Sequence, residues 1–263
     1  MIHVLTIMQM LREEERRSAG RTRHADGNTV SLPEKALQIL AGPEKRLRRS
    51  FSAGEEGAPP MLVDAFVTCH STARGPALCP IYLHPEVTQD DVDRIAEKMA
   101  WKAALMGLPL GGGCIGIRPH SYEPLNSLAA YAARELATVY RTLLTSGAVV
   151  AMPGCGVRAN EMGVLSDELL RRDIAVGKPW HLGGLRGFHA SRGRGVFAAT
   201  EAAVRARFDC GLAGRTCALY GTGAVGRWTA RFLNRAGARL VAVADGVNGR
   251  FNASGVSVAP LLR

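Results

Sequence analysis

The chain has 263 residues, of which 47% are hydrophobic, which is enough for one large domain or two small ones with real cores. Its net charge is +10, and only five of the 33 basic residues are lysines. Because the arginines are spread along the chain and aromatic residues make up 6%, we predict no nucleic-acid partner. No apolar run approaches the roughly 18 residues of a membrane span, so we also predict no membrane partner.

Residues 1–60 carry the weakest pattern and are expected to form a poorly defined N-terminal segment. The chain starts with an apolar stretch that has neither a basic region before it nor a small-residue cleavage site, which predicts a cytoplasmic protein. A helix is expected over 33–41, and the basic run 45–49 is expected to be a solvated face or a loop. The six cysteines show no CxxC spacing and are predicted to be free thiols.

From Met61 onward, apolar strands alternate with amphipathic helices. Strands are predicted at 61–70, 113–117 and 148–154, and helices at 88–107, 125–144 and 159–172. Thr88 or Asp90 can cap the first helix, and Gly107 can end it. Such alternation predicts an α/β domain over residues 61–180.

The segment 177–187 is rich in turn formers, as expected of a hinge, and a second domain is predicted over residues 181–263. It begins with a helix at 194–208. A strand at 215–220 then leads into Gly-Thr-Gly-Ala-Val-Gly, residues 221–226, followed by a helix to about 236 and a strand at 239–244.

The strand–GxGxxG–helix–strand order is typical of a dinucleotide-binding site. Gly221 permits a tight turn, Gly223 lets a pyrophosphate approach, and Gly226 lets the helix pack closely. The helix N-terminus at Ala224 and Val225 supplies N–H groups for phosphate. Asp245, at the end of the second strand, would accept hydrogen bonds from ribose hydroxyls, which favours NAD over NADP.

Only 18 residues follow Asp245, and they supply at most one more short element. A complete dinucleotide domain needs two βαβαβ halves, so a partial Rossmann unit with an uncovered sheet edge is expected. It would hold the adenosine half of the cofactor.

The segment 99–117 reads MAWKAALMGLPLGGGCIGI. It resembles the glycine-rich active-site segment of the Glu/Leu/Phe/Val dehydrogenases, which begins M-T-x-K-x-A and ends L-P-x-G-G-x-K-G-G. The segments 70–78 (HSTARGPAL), 177–179 (GKP) and 193–196 (GRGV) resemble further motifs of that family in the same order.

The resemblance implies a two-domain oligomeric enzyme that oxidises an L-amino acid to a 2-oxo acid and ammonia with a nicotinamide cofactor. It assigns Lys102 and Gly112, both in the glycine-rich segment, to the binding of the substrate. Leu78 lies where glutamate enzymes carry lysine and branched-chain or aromatic enzymes carry leucine, so the implied substrate is an apolar amino acid.

Four positions depart from the family pattern. Cys114 replaces the catalytic lysine, and Gly154 replaces the catalytic aspartate. Cys79-Pro80 replaces a Gly-Gly pair, and Arg192 replaces a threonine near the nicotinamide. A positioned acid–base group contributes about 10² to 10⁴ in rate, and a thiol cannot supply the charge of lysine, so most of the chemistry is expected to be lost.

Three hypotheses follow. The chain is an active amino-acid dehydrogenase, or it is a catalytically inactive, truncated relative that forms a homo-oligomer or pairs with a full-length homologue. In the third, Cys79, Cys114 and Cys155 lie at or next to positions that line one cleft, with Cys69 and His70 just upstream, and these thiols form a soft-metal or redox site. The alternative to the third is that these cysteines pack as small hydrophobes, and this is the interpretation we favour, with no metal predicted.

Overall fold

The computed structural model describes residues 41–54, 61–120 and 125–262 of the chain. The predicted helix at 33–41 lies almost entirely outside the described residues. Contacts divide the chain into two compact units between Arg186 and Gly187, a few residues beyond the predicted boundary at 180/181. Each unit is an α/β structure.

The first unit contains a five-stranded mixed sheet. Its strands are β1 (Lys45–Ala53), β2 (Met61–Ser71), β3 (Ala77–Leu83), β4 (Gly111–Pro119) and β5 (Val149–Pro153). Their spatial order is β1-β2-β4-β3-β5, with antiparallel β1/β2 and β2/β4 pairs and parallel β4/β3 and β3/β5 pairs.

In the described part of the chain, four helices accompany this sheet: α1 (Gln89–Leu105), α2 (Leu125–Val139), α3 (Arg141–Thr145) and α4 (Ala159–Glu168). A short 3-10 turn follows at Trp180–Leu182. Helix α1 packs on one face of the sheet. The opposite face packs with α2–α4 and forms the main core, in which Ile81, Ile115, Leu136, Leu144 and Met162 are almost completely buried.

Helix α1 begins at a complete capping box. The Thr88 hydroxyl accepts a hydrogen bond from the backbone N–H of Asp91 at 3.2 Å, and the Asp91 carboxylate accepts from the backbone N–H of Thr88 at 3.2 Å. Val92, Met99 and Ala103 are buried on one face of the helix. Gly107, just past the helix end, has φ +64°, which a glycine adopts without strain.

Two glycines of β4 let α1 approach the sheet closely. A Cβ at Gly112 would lie 2.1 Å from the backbone nitrogen of Ala100, and a Cβ at Gly116 would lie 2.5 Å from a methyl group of Val92. These positions exclude any larger residue while α1 keeps its place. Gly112 is therefore required by packing.

Several elements differ from the sequence predictions. The basic run 45–49 belongs to edge strand β1, so the expected loop is wrong, although most of its side chains are exposed as expected of a solvated face. Strand β3 was not predicted because it contains Pro80, which is unusual in a strand flanked on both sides. The single helix expected at 125–144 is broken at Tyr140, and the helix expected at 159–172 ends at Glu168.

The second unit is a βαβ structure with one additional short strand. Its elements are α5 (Phe188–Phe208), β6 (Thr216–Tyr220), α6 (Ala224–Arg235), β7 (Arg239–Ala244) and β8 (Gly249–Phe251), followed by a 3-10 turn at Ala259–Leu262. Strands β6 and β7 are parallel, and β8 pairs with β7 in the antiparallel sense.

Helix α5 begins earlier than the predicted position 194, because Gly187 (φ +83°) starts it and accepts a backbone hydrogen bond from Ser191 at 2.8 Å. It packs against α6 at Gly193, where a Cβ would lie 2.4 Å from the Cβ of Trp228. Within the described ranges, none of the helices combines the length and the apolarity needed to cross a bilayer.

Candidate functional site

Three of the predicted substrate and catalytic positions lie side by side in the first unit. Leu78 on β3 is the register partner of Gly112 on β4, and Cys114 lies two residues further along the same strand face. Lys102 lies in the exposed last turn of α1, two residues beyond the Ala100 backbone that contacts Gly112. The structure thus groups Leu78, Gly112 and Cys114.

Cys114 is completely buried beneath α1. Its side chain belongs to an apolar cluster with Phe66, Val87, Val92 and Ala96, and its S–H donates to the backbone carbonyl of Pro80 at 3.5 Å. Burial, and secondarily the negative charge of Asp93, raise the pKa of the Cys114 thiol well above its usual range. This residue is therefore a neutral thiol in an apolar pocket and cannot act as a cationic acid.

A polar network that the sequence analysis missed lies near Cys114. Thr68, the register partner of Cys114 on β2, donates to Asp93 at 2.5 Å. Gln89 donates to both side chains at 2.8 Å, and Arg46 pairs with Asp93 at 2.8 Å. These residues come from β1, β2 and α1, and no local motif links them, so only the strand register reveals the network.

Gly154, the predicted aspartate position, follows β5 directly and lies against the backbone of β3. A Cβ at Gly154 would lie 2.3 Å from the carbonyl oxygen of Ile81 and 2.9 Å from its carbonyl carbon. Real Cβ atoms are essentially never found so close to another atom. The position lacks a proton-transfer group and, with this backbone, also lacks the space for one.

Pro80 changes the sheet beside Cys114. The parallel β3/β4 register holds at Leu78↔Gly112 and resumes at Ile81↔Ile115, with no paired positions between them. Proline has no N–H to donate to the ladder. The carbonyl of Pro80 accepts the S–H of Cys114.

The hypothesis that several thiols gather around one cleft is wrong for Cys79 and Cys114. Cys114 packs under α1, whereas Cys69 and Cys79 belong to the core on the opposite face of the sheet. Across residues 41–54, 61–120 and 125–262, no set of three or more His, Cys, Asp or Glu side chains is placed to hold a metal ion. All six cysteines are free thiols, as predicted.

The predicted dinucleotide turn in the second unit has the three glycines in three different roles. Gly221 has φ +104°, and a Cβ at Gly226 would lie 1.9 Å from the carbonyl oxygen of Gly221, so the fold itself requires both. Gly223 has φ −68° and nothing within 4 Å of its Cβ position. The space over Gly223, at the exposed N-terminus of α6, is the kind of cradle that a pyrophosphate fills.

Asp245 directly follows β7, and its carboxylate accepts three hydrogen bonds within its own loop and the neighbouring turn. The backbone N–H groups of Asn248 (2.8 Å) and Val247 (2.9 Å) donate to one carboxylate oxygen, and the hydroxyl of Thr222 (3.3 Å) donates to the other. The side chain lines a cavity of about 320 Å³. The backbone donors at Asn248 and Val247 lower its pKa, so the carboxylate stays ionised.

The two carboxylate oxygens of Asp245 keep further acceptor lone pairs beside these three hydrogen bonds. Arg250 also lines the same cavity, a residue that the sequence analysis did not select. Arg192, which replaces the family threonine, lies within α5 with its guanidinium 4.9 Å from the ring of Phe188.

Comparisons with known proteins agree with this architecture. Residues 44–171 match the Glu/Leu/Phe/Val dehydrogenase dimerisation domain, and residues 183–263 match the Glutamate/Leucine/Phenylalanine/Valine dehydrogenase domain. The chain belongs to the Glu/Leu/Phe/Val dehydrogenase family. The resemblance seen in the sequence is thereby confirmed, as is the α/β fold with a partial Rossmann unit.

Glutamate dehydrogenases are similar to most of the chain. That of Aeropyrum pernix is 31% identical over 241 residues, covering 86% of this chain and 55% of its own length. The hetero-hexameric glutamate dehydrogenase from Thermus thermophilus, in a leucine-bound form, is 27% identical with a TM-score of 0.76, covering 97% of this chain and 60% of its own. The Peptoniphilus asaccharolyticus structure (24% identity, TM-score 0.72; 88% and 61% covered) shows the same fold.

Proposed function

We propose that this member of the family binds ligand but does not carry out oxidative deamination. The observation that carries the proposal is that positions 114 and 154, where the family has its two proton-transfer groups, hold a buried thiol and a glycine. Cys114 is a buried neutral thiol, and Gly154 lies where no Cβ fits. In the family pattern a lysine and an aspartate at these positions polarise the substrate and move its proton.

Two independent losses make the proposal stronger than either one alone. A thiol at position 114 can only become neutral or negative, so it cannot stabilise negative charge on a substrate oxygen. Each positioned acid–base group contributes about 10² to 10⁴ in rate, although paired effects add less than fully. The expected activity is therefore at or below the detection limit of an ordinary assay.

The dinucleotide-binding role is supported by the open cradle at Gly223 and by the ionised Asp245 beside its cavity. When bound, a nicotinamide cofactor accepts hydride from the substrate. In this chain the N-terminus of α6 would hold the pyrophosphate, and Asp245 would accept hydrogen bonds from ribose hydroxyls. Asp245 favours NAD, whereas Arg250 on the same cavity wall would suit the 2′-phosphate of NADP.

A partner role is supported by the matched dimerisation domain and by the exposed edge strand β1. The Thermus relative is described as hetero-hexameric. We propose that the chain forms a homo-oligomer or pairs with a full-length homologue through its first unit. The chain spans 55% to 61% of the length of the relatives above.

The second candidate function is the family reaction itself, with an apolar L-amino acid as substrate. Its support is the exposed Lys102 at the end of α1, next to the Gly112 and Leu78 pair. Leucine at position 78 offers an apolar surface in place of a cation for a side-chain carboxylate. This candidate requires another group to take over proton transfer.

The deciding experiment combines turnover and binding on the same preparation. Formation of reduced nicotinamide is followed over a panel of L-amino acids with NAD and with NADP, and cofactor binding is measured by calorimetry. We expect binding without turnover. Turnover above that of a buffer control would overturn the proposal and favour the second candidate.

Matched controls come from the relative and from this chain. Placing cysteine and glycine at the two equivalent positions of the Aeropyrum enzyme is expected to abolish its activity while it stays folded. The reverse change, Cys114→Lys with Gly154→Asp, is expected to fail here, because the backbone of Ile81 occupies the space of the new Cβ. Restored turnover in that double variant would show that the sheet opens readily and that the replacements alone caused the loss.

A further inference from the structure

A cavity of about 560 Å³ lies between edge strand β1 and the junction of α2 and α3, on the sheet face opposite Cys114. Cys69 lines it, together with Glu44, Lys45, Arg49 and several hydroxyl-bearing residues. The cavity therefore combines a thiol with two cationic side chains, one carboxylate and several hydroxyl groups. The proposed function makes no use of it.

The thiol of Cys79 lies next to the thiol of Cys69. Cys69 on β2 is the register partner of Gly113 on β4, and a Cβ at Gly113 would lie 2.4 Å from the sulfur of Cys79 on β3. The two thiols thus meet above a glycine, and they hydrogen-bond to each other. The S–H of Cys79 has a second acceptor in the carbonyl oxygen of Ala77 at 3.4 Å.

The pair is not suited to a disulfide between its own members. Cys69 and Cys79 are on strands separated by β4, so their Cα atoms are about 9.5 Å apart from the usual strand spacing. A disulfide needs Cα atoms within about 7 Å. Cys79 can therefore stabilise the Cys69 sulfur, but it cannot form a bond to it without movement of the backbone.

We propose that Cys69 is a modification site that takes up half of a small anionic disulfide from this cavity. Lys45 and Arg49 attract the anionic group, and Cys79 donates a hydrogen bond to the reacting sulfur. The Cys69 thiolate attacks one sulfur of the disulfide. The original S–S bond breaks, a new S–S bond to Cys69 forms, and the other half leaves as a thiolate, so the number of disulfide bonds is unchanged.

The charges around Cys69 favour its ionised form. The hydrogen bond from Cys79 lowers the pKa of the Cys69 thiol, and Lys45 lowers it further, whereas burial and the Glu44 carboxylate oppose this shift. Arg49 lies on the same cavity wall, and the Tyr140 hydroxyl is bound to the carbonyl of Ala65 at 3.2 Å. Cys79 keeps its proton because Cys69 and burial raise its pKa well above the usual range.

The test uses the folded, full chain and 5,5′-dithiobis(2-nitrobenzoate), a disulfide with two carboxylates. We expect the first equivalent to react rapidly, with the adduct mapped to Cys69 by peptide mass spectrometry. The rapid phase is expected to disappear in Cys69→Ser and to persist in Cys114→Ser, the matched buried thiol beneath α1. A rapid phase that survives Cys69→Ser, or that maps to Cys155, Cys210 or Cys217, would overturn the proposal.

The role of the two cationic side chains is tested by comparing an anionic and a neutral reagent. Lys45→Gln with Arg49→Gln is expected to slow the anionic reagent several-fold and to leave the neutral reagent 4,4′-dithiodipyridine unchanged, because only the anion is attracted. Equal slowing of both reagents would contradict the role of the two cations.

The role of Cys79 is tested by the pH dependence of the Cys69 reaction. Cys79→Ala removes the donor, so the midpoint of the rate profile is expected to move to higher pH, with several-fold slower reaction at neutral pH. Cys79→Ser keeps an O–H donor and is expected to keep most of the original midpoint. An identical profile in Cys79→Ala would show that Cys79 does not support the site.

Discussion

The two units of the chain differ sharply in how completely they are packed. In the first unit nearly every residue of β4 is buried, and one continuous core runs from β1 to α4. In the second unit β6 alternates between exposed and half-buried residues, and the core consists of two small clusters. The unit that carries Cys114 and Gly154 is thus the well-packed one, and the unit that carries the glycine turn 221–226 is the loosely packed one.

The same contrast holds at the individual positions. Neighbouring side chains and backbone fill the space around Cys114 and Gly154, which belong to the protein interior. In the second unit the space over Gly223 stays open, because nothing in the fold fills it.

The largest expected effect comes from removing core volume in each unit. Ile115→Ala is expected to cost about 4 kcal/mol, near the upper end for such changes, because its close-packed surroundings cannot collapse around the cavity. Leu240→Ala, equally buried, is expected to cost about 2 kcal/mol, because its cluster is small and its neighbours are half-buried.

Urea unfolding measures this difference when the two units are observed separately. Trp228 is the single tryptophan of the second unit, so a Trp101→Phe, Trp180→Phe background reports on that unit alone. Leu240→Ala should shift the Trp228 transition and leave the first unit unchanged. Leu105→Ala, at a highly exposed side chain, serves as the control. Equal costs for the two core variants would remove the contrast in packing.

The second prediction concerns Asp64, a buried carboxylate of the first unit. It accepts hydrogen bonds from Ser50 at 2.5 Å, from Arg118 at 2.6 Å and from Arg48 and His120 at 3.2 Å each. Burial alone would raise the pKa of Asp64, but these hydrogen bonds and the charge of Arg48 outweigh it and hold the pKa well below the usual range. Asp64→Asn is expected to cost about 3 kcal/mol.

The pH dependence of stability gives the sign of this effect. A carboxylate with a lowered pKa in the folded state stabilises the fold above its unfolded pKa of about 3.9, and this contribution is lost as the pH falls toward the folded pKa. Wild type and Asp64→Asn should therefore converge in acid. Asp173→Asn, which removes an exposed ion pair with Arg171, should leave stability nearly unchanged. A cost for Asp64→Asn that stays constant down to pH 2 would contradict this account.

Local chemistry made parts of the structure predictable from the sequence. The start of α1 at Thr88 follows from the spacing of Thr88 and Asp91, since a capping box needs only four consecutive residues. The turn at Gly221 follows in the same way from the glycine spacing between a strand and a helix. Both features are determined by residues that are neighbours in the chain.

Features that depend on strand register were not predictable. The placement of Cys69 and Cys79 on one sheet face and of Cys114 on the other requires the order β2-β4-β3, which no local pattern contains. Strand β3 itself was missed because Pro80 normally indicates a turn or an edge. The lack of space at Gly154 depends on the backbone of β3 at Ile81 and was equally hidden.

The third prediction tests the close approach of α1 to the sheet. Gly112→Ala places a Cβ against the Ala100 backbone and is expected to cost about 2 kcal/mol or more, because overpacking forces the helix to move. Gly42→Ala is the control, since nothing lies within 4 Å of its Cβ position. Thermal unfolding by circular dichroism measures both. Equal melting temperatures would show that α1 is free to shift and that the first unit is less tightly packed than its core indicates.

The smallest effect on stability is expected at Gly223 in the second unit, and there the effect on binding should be larger. Helix α6 has no side-chain cap, its N-cap residue Gly223 has an extended backbone with negative φ, and a serine fits there without strain. Gly223→Ser should therefore stabilise the second unit by a few tenths of a kcal/mol, since serine is the better N-cap.

The same side chain enters the space that a pyrophosphate would use, so dinucleotide binding should weaken about tenfold or more, which corresponds to 1.4 kcal/mol. Calorimetric titration with NAD and NADP, alongside Trp228 unfolding, measures both quantities on one variant. Unchanged binding would mean that the open cradle is not the phosphate site, and the contrast between a filled first unit and an open second unit would then have no functional meaning.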